Sequence, residues 1–166
     1  MPKFKCEYKG NGVDALIKAL DMLGNKSTGI IKRSVYEGAK EVGIGMMAAI
    51  QSIPVINDHF IPGDYPINGI TQAQKDGLLS SFGFAKMQDD GGFINTKCGF
   101  DGYNSVKTVK YPNGQPNPLI ANAVNSGTSR RQKYPFVAKG FKNSQSSAKA
   151  AMEKQMNADL AYLLKE

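Results

Sequence analysis

Phe82-Gly83-Phe84-Ala85-Lys86-Met87-Gln88-Asp89-Asp90-Gly91-Gly92-Phe93-Ile94-Asn95-Thr96-Lys97-Cys98-Gly99-Phe100 is the stretch that decides the fold class. Phe82 and Phe84 alternate with Gly83 and Ala85. Asp89-Asp90-Gly91-Gly92 offers a tight turn, and Ile94, Thr96, Cys98 and Phe100 share one face beyond it. Period-two alternation on both sides of a Gly-rich turn is a hairpin signal. A third strand is expected at Val106 to Lys110, between Asp101-Gly102 and Tyr111-Pro112-Asn113-Gly114. Strand signals are confined to this central region. Helices segregated from strands predict an α+β fold: two N-terminal helices, a small antiparallel sheet of about three strands and a C-terminal helix.

Upstream, Val13, Leu16, Ile17, Leu20 and Leu23 recur at three- and four-residue steps and form one apolar stripe. Asn11 can cap this helix, Asp14 suits its first turn, and Gly24 can end it. A second helix is expected from about Thr28, with Ile31, Val35, Ala39, Val42, Met46, Ile50 and Ile53 as its stripe. Gly38, Gly43 and Gly45 each weaken it by up to about 1 kcal/mol relative to Ala. Burying each large stripe residue returns about 1.5–3 kcal/mol, so packing wins, and the small residues let another backbone come close. Pro54 closes the element.

Residues 54–71 read as a long loop with Pro54, Pro62 and Pro66 but also Ile56, Phe60, Ile61, Tyr65, Ile67 and Ile70. Loops of this length inside a compact domain are uncommon and usually functional or disordered. So many apolar groups either fold back on their own core or dock on another chain, and both readings stay open. A short helical turn is expected from Gln72 to Ser80. Beyond the strands, Asn117-Pro118 reads as a cap with a first-turn proline, opening a short helix that Gly127 ends. Thr128 to Tyr134 is a basic loop ahead of Pro135-Phe136. The last helix is expected from about Ser144 to Leu164, with Ala148, Met152, Met156, Leu160 and Leu163 as its stripe.

The chain has 166 residues, which suits a single domain spanning 1–166 with a long interaction loop, and it can bury a core without disulfides or metal. No apolar run approaches a membrane span, so no membrane partner is expected, and the N-terminal residues carry no signal-peptide pattern. Cys6 and Cys98 lie far apart, which excludes a disulfide scaffold and a zinc ribbon. The net charge of +7 is uneven: residues 104–154 hold nine Lys or Arg and one acid, so the excess belongs to that segment. It points to an acidic protein partner or to nucleic acid.

Chemistry is harder to find. Gly24-Asn25-Lys26-Ser27-Thr28 lacks the glycine directly before the lysine, and the preceding strand, that a phosphate-binding loop requires. Asp58-His59 has no matched nucleophile, and the one histidine in the chain removes most acid–base and metal chemistry. Cys98 reads as a core residue. No catalytic residue, metal site or cofactor is expected, and the chain is not read as an enzyme. Arg130-Arg131 with Lys133 and Tyr134 is the strongest basic, aromatic-interleaved cluster. It reads first as a solvated loop or a subunit interface; a basic nucleic-acid-binding module, with Lys139 and Lys142 added, is the alternative.

Asn122-Ala123-Val124-Asn125-Ser126-Gly127-Thr128-Ser129, then Arg130-Arg131, Pro135-Phe136 and a terminal amphipathic helix, resemble the small neck and tail-completion proteins of long-tailed phages. The likeness is to the gene-product-ten-like tail-component family of lambdoid phages, to which minor tail protein Z is related. Gly12 to Leu16, Lys32 to Ile50 and Gly77-Leu78-Leu79-Ser80-Ser81 sit where that family has similar segments. The chain departs from it at Asn125, at Lys139-Gly140 and in the length of 54–71. The resemblance implies a non-enzymatic virion protein, assembled in the host cytoplasm into a homo-oligomeric ring of six. It would stand at the head–tail joint or the upper end of the tail, as a neck or tail-completion component. Its partners would be head-closure or connector proteins and tail-tube or tail-terminator proteins, with transient contact to phage DNA. A ring subunit must offer two different faces. Expected at them are Phe60, Ile61 and Tyr65 in the apolar loop, and Gly127, Thr128, Arg130, Arg131, Lys133, Tyr134, Pro135 and Phe136 in the basic segment. Gly127 is expected to permit a turn that other residues resist, and Phe136 to fill a partner's pocket.

Overall fold

The computed structural model describes residues 11–56, 65–91 and 93–163, with backbone alone for 11–23 and 25. The element order is α1 (Asn11–Gln51), α2 (Gln72–Ser81), β1 (Phe82–Phe84), β2 (Gln88–Asp90), β3 (Phe93–Asn95), β4 (Cys98–Phe100), α3 (Asn117–Ser126) and α4 (Phe136–Leu163). The fold is α+β, with the strands between the flanking helices, as expected.

The N-terminal region is one helix rather than two. α1 runs 41 residues straight through Gly24-Asn25, and Ser27 Oγ donates to the Gly24 carbonyl at 2.9 Å as a mid-helix back-bond rather than a cap. A glycine in a helix costs about 1 kcal/mol, whereas stopping and renucleating costs a full unfavourable first turn, so continuation wins. The expected stripe holds at its C-terminal end, where Met46, Ile50 and Ile53 are buried. Ile31, Val35, Ala39 and Val42 are only partly buried, because the buried line there runs one residue earlier through Ile30, Ser34 and Gly38, against α4.

α4 begins eight residues earlier than expected. Gly140 stands inside the helix because it has no Cβ: one built there would lie 3.0 Å from the Met46 Cα. Its counterpart Gly45 meets the Gly140 carbonyl and Ser144 in the same way, at 2.8 and 2.7 Å. The two glycines let α1 and α4 cross backbone to backbone. The close approach read from the small residues of α1 is therefore made within the chain.

The strands form two two-stranded antiparallel ladders of one hairpin rather than a three-stranded sheet. Phe82 pairs with Phe100 and Phe84 with Cys98; Gln88 pairs with Asn95 and Asp90 with Phe93. Ala85 donates to the Lys97 carbonyl at 2.7 Å, so Lys86 and Met87 together face Thr96, a one-residue bulge that divides the ladders. Of the face read from the sequence, Phe82, Ile94, Thr96, Cys98 and Phe100 are partly buried, while Phe84 stays exposed. Val106 to Lys110 is loop. The Asn104 side chain takes the Val106 N–H at 2.9 Å, Thr108 and Tyr111 bond each other across a turn, and Val109 is fully exposed. Alternation there had no neighbouring strand to pair with.

The core gathers Met46 and Ile50 from α1, Ile53 just past its end, Ile70 and Leu78 near α2, Ile120 and Val124 from α3, and Phe136 at the start of α4. α2 starts with a capping box in which Thr71 and Gln74 each satisfy the other's backbone N–H. α3 is capped by Pro116, not Asn117. The Asn117 side chain turns inward instead, donating to the Asp101 carbonyl and accepting from Asn104, and so pins loop 101–116.

Candidate functional site

Two neighbouring surfaces stand out, and they differ in how complete they are. The first is an open groove of about 690 Å³ between α1, α4 and the hairpin. α1 contributes Val35, Ala39 and Val42, the hairpin Phe84, Ile94 and Cys98, and α4 Phe141, Ala148 and Met152. Its rim leaves large apolar groups in water: Phe93 is 73% exposed and Phe141 51%. Lys142 and Lys149 are its charged lining residues. Apolar walls with a few cations suit the capture of an amphipathic segment rather than bond chemistry. Cys98, expected in the core, is only partly buried here, and that burial pushes its thiol pKa up, away from the reactive thiolate.

The second surface is the basic segment, which the fold turns into a clasp. Thr128 and Arg131 exchange backbone bonds at 2.9 and 3.2 Å, and Thr128 Oγ1 accepts the Arg130 N–H. Gly127 makes the entry to this turn at φ +77°, where a Cβ would also lie 3.0 Å from the Lys133 Cβ. The turn then pairs with the end of loop 54–71. Ile67 donates to the Arg130 carbonyl at 2.9 Å, and Gln132 donates to the Ile67 carbonyl at 2.8 Å. Arg131 Nη1 donates to the Gly69 carbonyl, and burial lowers the pKa of its guanidinium. Arg130 lies 5.7 Å from the centroid of the Tyr65 ring. Tyr134 donates to the Ser52 carbonyl at 2.9 Å, Lys75 donates to the Gln51 carbonyl, and together they finish the C-terminus of α1. Hydrogen bonding with Ser52, and then Lys139 at 3.9 Å over the ring, lower the Tyr134 phenol pKa against the opposing effect of burial.

No protein-family model, curated protein or solved structure matches the chain.

The expected site residues thus fall into four groups. Phe60, Ile61 and the Asp58-His59 pair lie outside the described residues. Tyr65, Gly127, Thr128, Arg130, Arg131 and Tyr134 come together, but as contacts of the chain with itself. The described ends of loop 54–71 fold back: Ile56 donates to the Ile70 carbonyl, Ile70 donates to the Pro54 carbonyl, and Ile70 is wholly buried. The apolar loop and the basic segment, expected as two separate faces, therefore share one seam. Phe136 requires the plainest correction. It is 0% exposed, with its ring centroid 5.9 Å from that of Phe100, so the pocket it fills belongs to its own core. Lys133 and Pro135 stay nearer solvent, lining a shallow cleft that shares Phe141 with the groove.

The groove escaped the sequence reading because it joins three remote segments. The one signal was excess: Phe93, Phe141 and Phe84 are more aromatic groups than the hairpin and α4 can bury. Among the described residues, no group of three or more His, Cys, Asp or Glu side chains converges as a metal site would.

Proposed function

We propose that the chain is a structural virion protein of a tailed phage, a neck or tail-completion subunit without enzymatic activity. In this reading it forms a homo-oligomeric ring, with six copies, at the head–tail joint or the upper end of the tail. Head-closure or connector proteins meet the ring on one side and tail-tube or tail-terminator proteins on the other. The phage DNA passes through and touches it transiently.

The single observation that carries this reading is the open apolar groove in a chain whose most conspicuous charged and aromatic residues are already engaged with each other. A surface that leaves Phe93 and Phe141 mostly exposed is suited to covering by another chain. The likeness of Asn122–Ser129, Arg130-Arg131 and Pro135-Phe136 to the tail-component family supplies the setting.

Native mass spectrometry and negative-stain imaging, with and without phage tails, test the proposal. Rings alone or on tail ends are expected. A chain that stays monomeric and joins neither tails nor capsids would overturn it. The nucleic-acid reading ranks second, since Arg130, Arg131 and Lys139 already contact Tyr65, Gly69 and Tyr134. It requires affinity for duplex DNA that falls by about 0.9 log unit per log of salt for each phosphate contact. Flat or absent mobility shifts at low salt would remove it.

A further inference from the structure

We infer that the N-terminal arm of α1, residues 11–23, of one copy docks in the groove of the next copy, closing the ring head to tail. The inference rests on the ring reading and supplies its contact.

α4 runs antiparallel to α1, with Arg33 Nε meeting Asp159 Oδ2 at 2.9 Å. Stepping from Asp159 to the last described residue of α4, Leu163, brings that helix level with about residue 29 of α1. α1 continues from there to Asn11, about 18 more residues or roughly 27 Å of helix. At the inner end of this overhang Gly24, Lys26 and Thr28 are exposed. The arm therefore projects past the helix that covers the rest of α1.

The arm cannot reach its own groove. Residues 11–23 and the groove residues Val35 to Val42 lie on the same uninterrupted helix, which cannot fold back along itself. Any meeting of the two is a meeting of two copies, and it joins unlike faces, the geometry that generates rings.

Sequence and groove are complementary. Val13, Leu16, Ile17 and Leu20 form a stripe two turns long, matched in character to the apolar walls. Asp14 and Asp21 flank one edge of that stripe, seven residues apart, which is about 10 Å along a helix. Lys142 and Lys149 line the groove with the same seven-residue spacing on α4, and among the described residues no carboxylate lines it. An arm lying along α4 brings its acidic positions 14 and 21 into the same register as Lys142 and Lys149.

The test reverses each pair in the full chain. Asp14→Lys with Asp21→Lys makes a cationic arm, and Lys142→Asp with Lys149→Asp makes an anionic groove. Each variant alone is expected to need at least a tenfold higher concentration to form rings than the wild type, with unchanged circular dichroism. Mixed, they are expected to form rings of alternating copies, because each variant's arm then fits the other's groove. Rings that persist in both variants, or a folded mixture that stays monomeric while the wild type forms rings, would overturn the docking and leave the ring reading standing. A wild type that forms no ring, even on tails, would sink both. If only the groove variant fails to join tails while the arm variant joins normally, the groove holds another protein, and the second copy is ruled out.

Discussion

The clasp of Ile67 and Gly69 with Arg130 and Arg131 and the groove between α1, α4 and the hairpin lie on one molecule but stand at opposite stages of completion. The clasp carries the strongest sequence signal, and its groups are satisfied internally: backbone bonds at 2.8 and 2.9 Å, a guanidinium on a carbonyl, a cation beside a ring. The groove carries almost no sequence signal, yet leaves Phe93 and Phe141 mostly in water. A charged, aromatic cluster is as able to staple a loop to its own domain as to hold a partner. What marks a surface as unfinished is apolar area without cover.

The largest test of that contrast is Phe136→Ala. The ring is wholly buried beside Phe100, so the loss should be about 3–5 kcal/mol in denaturant unfolding. A loss under about 1 kcal/mol would return Phe136 to the role of a partner's anchor. Next is Arg131→Ala, which strips a charge-assisted bond from the Gly69 carbonyl and should cost about 1.5–3 kcal/mol. If stability holds and only assembly fails, the clasp is an intermolecular device after all. Phe93→Ser addresses the groove. At 73% exposure it should change stability by no more than about 0.5 kcal/mol while lowering ring yield. Matched losses of stability and assembly would erase the distinction.

The smallest effect is a pH dependence at Asp159. The hydrogen bond from Arg33 holds its carboxyl below the ordinary value of 3.8. The folded state therefore binds this proton less readily than the unfolded chain. Its contribution is present above pH 3.8 and lost as the pH falls through the lowered folded value. An unfolding series on wild type and Asp159→Asn should show a gap near neutrality that closes in acid. A gap that widens in acid would reverse the sign.

Reading the chain located the helical stripes and the packed face of the hairpin, because periodicity is a local record of which side is buried. Met46 and Ile50 on α1, Ile53 just past its end and Ala148 on α4 are buried where their spacing puts them, whereas Met156, farther along the α4 stripe, is exposed. It also located the turn at Gly127, since a helix followed by a glycine at the start of a basic loop is a local signal. Breaks were less legible. Gly24 reads as the end of a helix and Gly140 falls ahead of the expected start of the last one, yet both lie inside helices, because their cost is set against packing and nucleation elsewhere.

The amino-acid order alone therefore determined the class of the fold, the faces of its elements and the concentration of positive charge in residues 104–154. Those properties depend on neighbours within a few turns or strands. The tertiary structure decided that α1 is continuous, that Phe136 and Arg131 serve their own chain, and that three distant segments leave an apolar channel uncovered. Each of these depends on which remote surfaces meet, and no local spacing carries that information.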